Sequence, residues 1–218
     1  GNISRRHCNQ RLIKKDMSQF EDGVKNVDYL CIQLNIKIME KYKSMFNRPI
    51  DFPMEFCYSI VMNKWIFENF PSSIAIIGGD EKIKVIKDLM KYKEYRDYLK
   101  IDKFEDYISV PERFTANNPD ELLKKLEPEI KKSKADVFLF GIGIGKLAIA
   151  PKFKDFNKNA IFIDIGSAMS ALSGFANINR PYHGDWINYR IQDYDYGVID
   201  KMDGDSRNIK ILKKESTS

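Results

Sequence analysis

Residues 73–79 read Ser73-Ile74-Ala75-Ile76-Ile77-Gly78-Gly79, a short apolar run closed by two glycines. A run of this length with no polar alternation fits a strand covered on both faces, as strands are inside a parallel sheet. Working outward, Lys82–Tyr98 reads as a helix. Tyr107-Ile108-Ser109-Val110-Pro111 reads as a second strand, stopped by a residue that cannot donate to a ladder. Asn118-Pro119-Asp120-Glu121 is a helix start: an N-cap, a proline at the first helical position and a glutamate at the third. That helix is expected to run to about Lys132. Asp136–Gly141 (DVFLFG) is the third strand and Ala160–Gly166 (AIFIDIG) the fourth. Strands that alternate with helices imply right-handed crossovers and helices on both faces of one sheet. The expected fold class is therefore α/β, a Rossmann-like mainly parallel sheet flanked by helices, spanning residues 71–192.

Residues 1–70 have a different texture and are expected to form an N-terminal helical segment. Tyr29, Leu30, Leu34, Ile38, Met39 and Tyr42 recur at three- and four-residue steps, which predicts one amphipathic helix over Val27–Met45. Pro49 and Pro53 punctuate the chain, and a second helix is expected over Met54–Phe70, its aromatics facing the core. Beyond Phe175 the pattern breaks into a loop. The polar tail 193–218 is expected as a surface strand or as disordered chain. All three segments are expected to form one compact domain.

Charge and cysteine usage narrow the function classes. Lys and Arg number 36 against 31 Asp and Glu, a net charge of +5. The lysines sit beside acids in helix-like stretches, so solvated helix faces explain them better than a nucleic-acid footprint, and no nucleic-acid partner is expected. Cys8, Cys31 and Cys57 form no CxxC pair, and His7 and His183 are the only histidines, which argues against a structural zinc site. Three widely spaced cysteines suit buried or idle thiols in a reducing compartment. With no apolar run of membrane length and no signal-peptide core, a cytoplasmic location is expected.

In parallel sheets, ligands bind outside the carboxyl ends of the strands, near the point where strand order reverses. Three stretches at expected strand ends carry chemistry. Gly141-Ile142-Gly143-Ile144-Gly145-Lys146 offers backbone that can approach a phosphate, although it is neither GxGxxG nor a Walker loop. Its glycines also suit a tight turn. Asp164-Ile165-Gly166-Ser167 places an acid at the end of a buried strand, before a hydroxyl that can cap the next helix. That acid serves a ligand or bonds neighbouring amides. Asn179-Arg180-Pro181-Tyr182-His183-Gly184-Asp185-Trp186 gathers a guanidinium, aromatics and an acid in one loop, suited to a diphosphate and a sugar. In the competing reading Trp186 plugs the core and Arg180 pairs with an acid. Weaker candidates are Asp80-Glu81, Pro111-Glu112-Arg113 and Glu21-Asp22-Gly23.

The stretches VFLFGIGIGK (137–146), IFIDIGSAMSALSG (161–174) and Arg180-Pro181-Tyr182 resemble the C-terminal part of GT-D-type glycosyltransferase domains. The resemblance covers about residues 72–190. It implies a Rossmann-like transferase that moves a sugar from a nucleotide-sugar donor to a glycan or glycoprotein acceptor, with a divalent metal, Mn or Mg, as cofactor. On this reading Gly141, Gly143, Lys146, Gly166, Ser167 and Arg180 bind the donor, and Asp164 or Asp185 is the base or sugar-hydroxyl acceptor. The family's acidic metal motif, R-x-G-D-G-E, has only Phe20-Glu21-Asp22-Gly23-Val24 as a counterpart, without the final acid. The motif is then either degenerate or upstream of this chain, and the metal ligands stay unassigned. The alternative is a noncatalytic nucleotide- or sugar-binding module. A second acid converging on Asp164 would favour the enzyme.

Overall fold

A computed structural model describes residues 17–32, 36–46, 49–71, 73–112, 115–175, 186 and 189–202. In chain order the elements are α1 (Ser18–Asn26), β1 (Cys31–Ile32), α2 (Ile36–Phe46), β2 (Phe52–Pro53), α3 (Met54–Met62) and α4 (Trp65–Asn69). Then come β3 (Ile74–Gly79), α5 (Asp80–Leu89), α6 (Lys93–Leu99), β4 (Asp106–Val110), α7 (Pro119–Lys132) and β5 (Val137–Gly141). The chain continues through a 3-10 turn at Gly143–Gly145, α8 (Lys146–Ile149), a second 3-10 turn, α9 (Phe153–Phe156), β6 (Ile161–Asp164), α10 (Ala168–Leu172) and α11 (Gly197–Met202).

The fold is Rossmann-like. Four strands form one sheet in the order β4-β3-β5-β6, every neighbouring pair parallel. Ile77 lies opposite Ile108, Gly78 opposite Gly141 and Phe140 opposite Asp164. The first strand of the sheet is thus internal: the chain steps to β4 on one side, then crosses back to β5 and β6 on the other. Strand order reverses between β3 and β5, whose carboxyl ends are Gly78-Gly79 and Gly141. Both faces are covered at the central strands β3 and β5, which is why these two read as unbroken apolar runs. Ile74, Ile76, Val137 and Leu139 meet α3 to α6 and α10 on one face. Ala75, Ile77, Phe138 and Phe140 meet α7 to α9 on the other. At the start of α7 the expected N-cap is formed: Asn118 Oδ1 accepts from the Glu121 amide at 3.2 Å, while Glu121 takes a bond from the Asn118 side-chain Nδ2 rather than from its backbone N–H, as a full capping box would need.

The N-terminal segment departs from two long helices. Cys31 and Ile32 pair with Phe52 and Pro53 in a small parallel ribbon, and Asp51 accepts the Leu30 amide at 2.7 Å. These long-range bonds replace helical ones at Leu30 to Ile32, and α2 is described over Ile36–Phe46. The second expected helix breaks at Asn63-Lys64: Lys64 has φ 66°, and the Asn63 side chain caps the Trp65 amide at 3.0 Å. The span 82–98 likewise divides, at Met90–Tyr92, into α5 and α6. Of the C-terminal stretch 193–218, expected as a surface strand or disordered, residues 197–202 form α11 instead, and 203–218 lie outside the described residues. Tyr196 and Ile199 are buried there, and Arg190 ties α11 down through two bonds to Asp200 and one to Gly174 O. Arg190→Lys, which loses the planar fork, is expected to cost about 1 kcal/mol, read as a lower urea midpoint.

Tyr95 joins α6 to α10. Its phenol is fully buried and donates to Leu172 O at 2.5 Å. Burial pushes its pKa well up, so the hydroxyl remains a donor at all working pH values. Tyr95→Phe is expected to lower stability by about 1 kcal/mol without altering the fold, measured by urea denaturation.

Candidate functional site at the carboxyl edge of the sheet

The chain leaves β5 through three glycines, and each has a folding reason. A methyl on Gly141 would lie 2.7 Å from Met169 Cβ and 2.9 Å from Gly166 O, so this glycine lets the β5 and β6 ends approach. Gly143 has φ 67°, the left-handed region that glycine enters without strain. A methyl on Gly145 would sit 2.9 Å from Thr115 O, and Thr115 Oγ1 donates to Ile142 O nearby. The surplus of glycines that pointed to a ligand is therefore accounted for by packing. This turn delivers Lys146 at the start of α8.

Lys146 meets Asp164, the last residue of β6, in a direct ion pair. Both oxygens of Asp164 carry a contact: one takes the ammonium, and the other accepts the Gly166 amide at 3.0 Å. The Lys146 and Asp164 side chains are 26% and 34% exposed, so the pair borders solvent without being immersed in it. Burial pulls the Lys146 pKa down, but the Asp164 carboxylate outweighs it, with Tyr58 and Cys57 adding to the upward direction. Gly166 has φ 44°, and a methyl there would strike the Tyr58 hydroxyl at 2.9 Å. Ser167 precedes α10 but makes no side-chain cap bond, contrary to the capping role expected of it.

Of the sequence-derived candidates, Gly141, Lys146, Asp164 and Gly166 come together, with Gly143 and Ser167 on the flanking turns. Arg180 and Asp185 lie outside the described residues. Trp186 is buried and donates from Nε1 to Met62 O at 2.8 Å, which makes it the core plug of the competing reading.

A second acid guards the end of β3. Glu112 pairs with Lys82 at 2.5 Å, and its other oxygen, Oε2, is buried with no hydrogen-bond partner among the described residues. A methyl on Gly79 would fall 1.7 Å from that oxygen. The start of α5 is thus covered by a carboxylate rather than open to a phosphate. Asp80 begins α5 as an exposed first-turn acid, with Gly79 rather than Asp80 at the cap position.

The counterpart of the acidic motif also has a packing role. A methyl on Gly23 would lie 1.4 Å from Leu147 O, so Gly23 is the point where α1 lies directly on α8. Around Asp164 the donor set does not suit a divalent ion, because an ammonium already sits on the carboxylate. Among the described residues no three His, Cys, Asp or Glu side chains converge as a metal site.

Sequence reasoning missed three neighbours supplied by the N-terminal segment: Tyr58, Cys57 and Cys31. The two cysteines are 26 positions apart, yet their sulfurs are 3.1 Å from each other. No spacing rule signals this, because the contact depends on β1 pairing with β2.

Fold and site together define a doubly covered parallel α/β protein with a lysine–carboxylate pair beside its strand-order reversal. The chain matches no protein-family model, no curated protein and no solved structure. Among the described residues no helix is long and apolar enough to cross a membrane.

Proposed function

We propose that the chain binds a nucleotide-sugar donor at the carboxyl edge of its sheet and transfers the sugar to a glycan or glycoprotein acceptor. The observation that carries this reading is the partly exposed Lys146–Asp164 pair, next to the reversal where open α/β sheets take ligands. Sugar transfer demands that the leaving diphosphate be neutralised and an acceptor hydroxyl deprotonated. Lys146 supplies a cation for the first task, with the preceding Gly143 turn as backbone donor and Arg180 as a second cation. Asp164 holds Lys146 in place. Asp164, whose two oxygens each carry one contact, or Asp185 serves as the base or sugar-hydroxyl acceptor. That same engagement favours a second reading, a noncatalytic module that binds the donor without turning it over.

A thermal-shift panel of nucleotide sugars and nucleoside diphosphates, with manganese or with chelator, tests the binding step. A donor at a hundredfold excess over its Kd is expected to raise Tm by about 5–10 °C. A panel with no shift removes the proposal. A shift that needs manganese assigns a metal site to residues outside the described ones. Mass-detected transfer to an oligosaccharide then separates enzyme from binding module.

A further inference from the structure

We infer that Cys31 and Cys57 are a redox-active pair, a dithiol that closes to a disulfide by exchange with a small-molecule disulfide of the glutathione class. The geometry is set by short, connected elements. Cys31 opens β1, which is pinned to β2 through Phe52, and β2 runs directly into α3. The first turn of α3 then carries Cys57 back over β1, leaving the sulfurs 3.1 Å apart. A disulfide needs about 2.05 Å, so closure takes a movement of about 1 Å. Both thiols are half-buried, open enough for a small oxidant yet held against each other.

The surroundings sort the two thiols into different roles. The Cys57 thiol donates to Cys31, which lowers the Cys31 pKa against the opposing effects of burial and Asp164. Cys57 is pushed up by that same bond, by burial and by Asp164, with Lys146 partly offsetting. Cys31 is therefore the attacking thiolate and Cys57 the resolving thiol. The Cys31 thiolate attacks one sulfur of the oxidant, forming a mixed disulfide and expelling one small thiolate. Cys57 gives its proton to a departing thiolate and attacks Cys31 sulfur, releasing the second small thiol. Two protein thiols are oxidised to one disulfide, and one small disulfide is reduced to two thiols.

The bond would tie the N-terminal ribbon to the helix whose Tyr58 packs on Gly166, two residues beyond Asp164. It does not depend on the donor being a nucleotide sugar. The test is incubation of the full chain with oxidised glutathione, acid quenching and peptide mapping. Wild type and Cys8→Ser are expected to yield a Cys31–Cys57 disulfide, reversed by dithiothreitol, with Tm raised by about 5 °C. Cys57→Ser is expected to trap glutathione on Cys31. Stable glutathione adducts on Cys31 or Cys57 in the wild type, a disulfide that includes Cys8, or Cys31 and Cys57 both still alkylated by maleimide after oxidation would each overturn the inference. If Cys57→Ser fails to fold, mapping of wild type and Cys8→Ser decides alone.

Discussion

Asp164→Ala is expected to lower stability by about 2 kcal/mol, while Asp164→Ala combined with Lys146→Met restores most of the loss. The single change strands an ammonium that is three-quarters buried, and breaking such a pair leaves an uncompensated charge. The full penalty for a completely buried pair is larger, and the residual exposure here reduces it. Replacing both partners by apolar groups removes the stranded charge, and what remains of the cost is mainly the lost bond to the Gly166 amide. Donor affinity should follow a different pattern. Lys146→Met and the double variant both lose a charge-assisted contact, a drop of on the order of tenfold to a hundredfold in affinity. The measurement is a urea midpoint beside a donor titration for all three variants. A double variant that binds donor like wild type would show the pair to be scaffold alone. The pH dependence has a definite sign. Because the folded Lys146 pKa lies above its ordinary value of 10.5, the pair's contribution is complete below that pH. It is lost as pH rises through the raised folded value, and Asp164→Ala should flatten this alkaline decline.

Gly23→Ala is expected to destabilise the protein by about 2 kcal/mol or more, even though alanine is the better helix former. Helix propensity alone predicts a gain approaching 1 kcal/mol at an interior position. The methyl, however, would overlap Leu147 O at 1.4 Å, and that oxygen belongs to backbone, which cannot rotate aside. Relief requires α1 to lift from α8, with loss of the Phe20 packing on that side, where the chain is otherwise buried. Asp22→Asn, by contrast, changes an exposed residue and should leave the urea midpoint unchanged within about 0.5 kcal/mol. The pair of variants separates a helix contact from a remnant of an acidic metal motif. If Asp22→Asn abolishes a manganese-dependent donor shift while Gly23→Ala is silent, the packing account of this segment is wrong.

Legibility divided along physical lines. The two central strands were readable because a strand covered on both faces must be apolar at nearly every position; the edge strands β4 and β6 carry polar residues as well, and all four strand ends fell within one or two residues of the expected ones. The start of α7 was readable because an N-cap is satisfied within four residues. The N-terminal helices were less so: apolar residues at 29, 30 and 34 suit a helix face, and only the pairing of Cys31 with Phe52 reveals the ribbon. The candidate site was half legible. Lys146 and Asp164 stood out as polar residues at strand ends, but not as partners.

The local order of apolar runs, prolines and caps thus sufficed to define a parallel α/β chain and the edge where its chemistry gathers. What the charges and thiols do there depended on register and crossover. Phe140 must lie opposite Asp164 before Lys146 can reach the carboxylate, and β4 must flank β3 before Glu112 can cover Gly79. The same holds for Cys31 and Cys57, whose meeting requires a ribbon and a helix turn together. Short-range preferences act over a few residues and are written in the sequence. Ion pairs, close backbone contacts and thiol pairs form between segments distant along the chain, and only packing decides which of them meet.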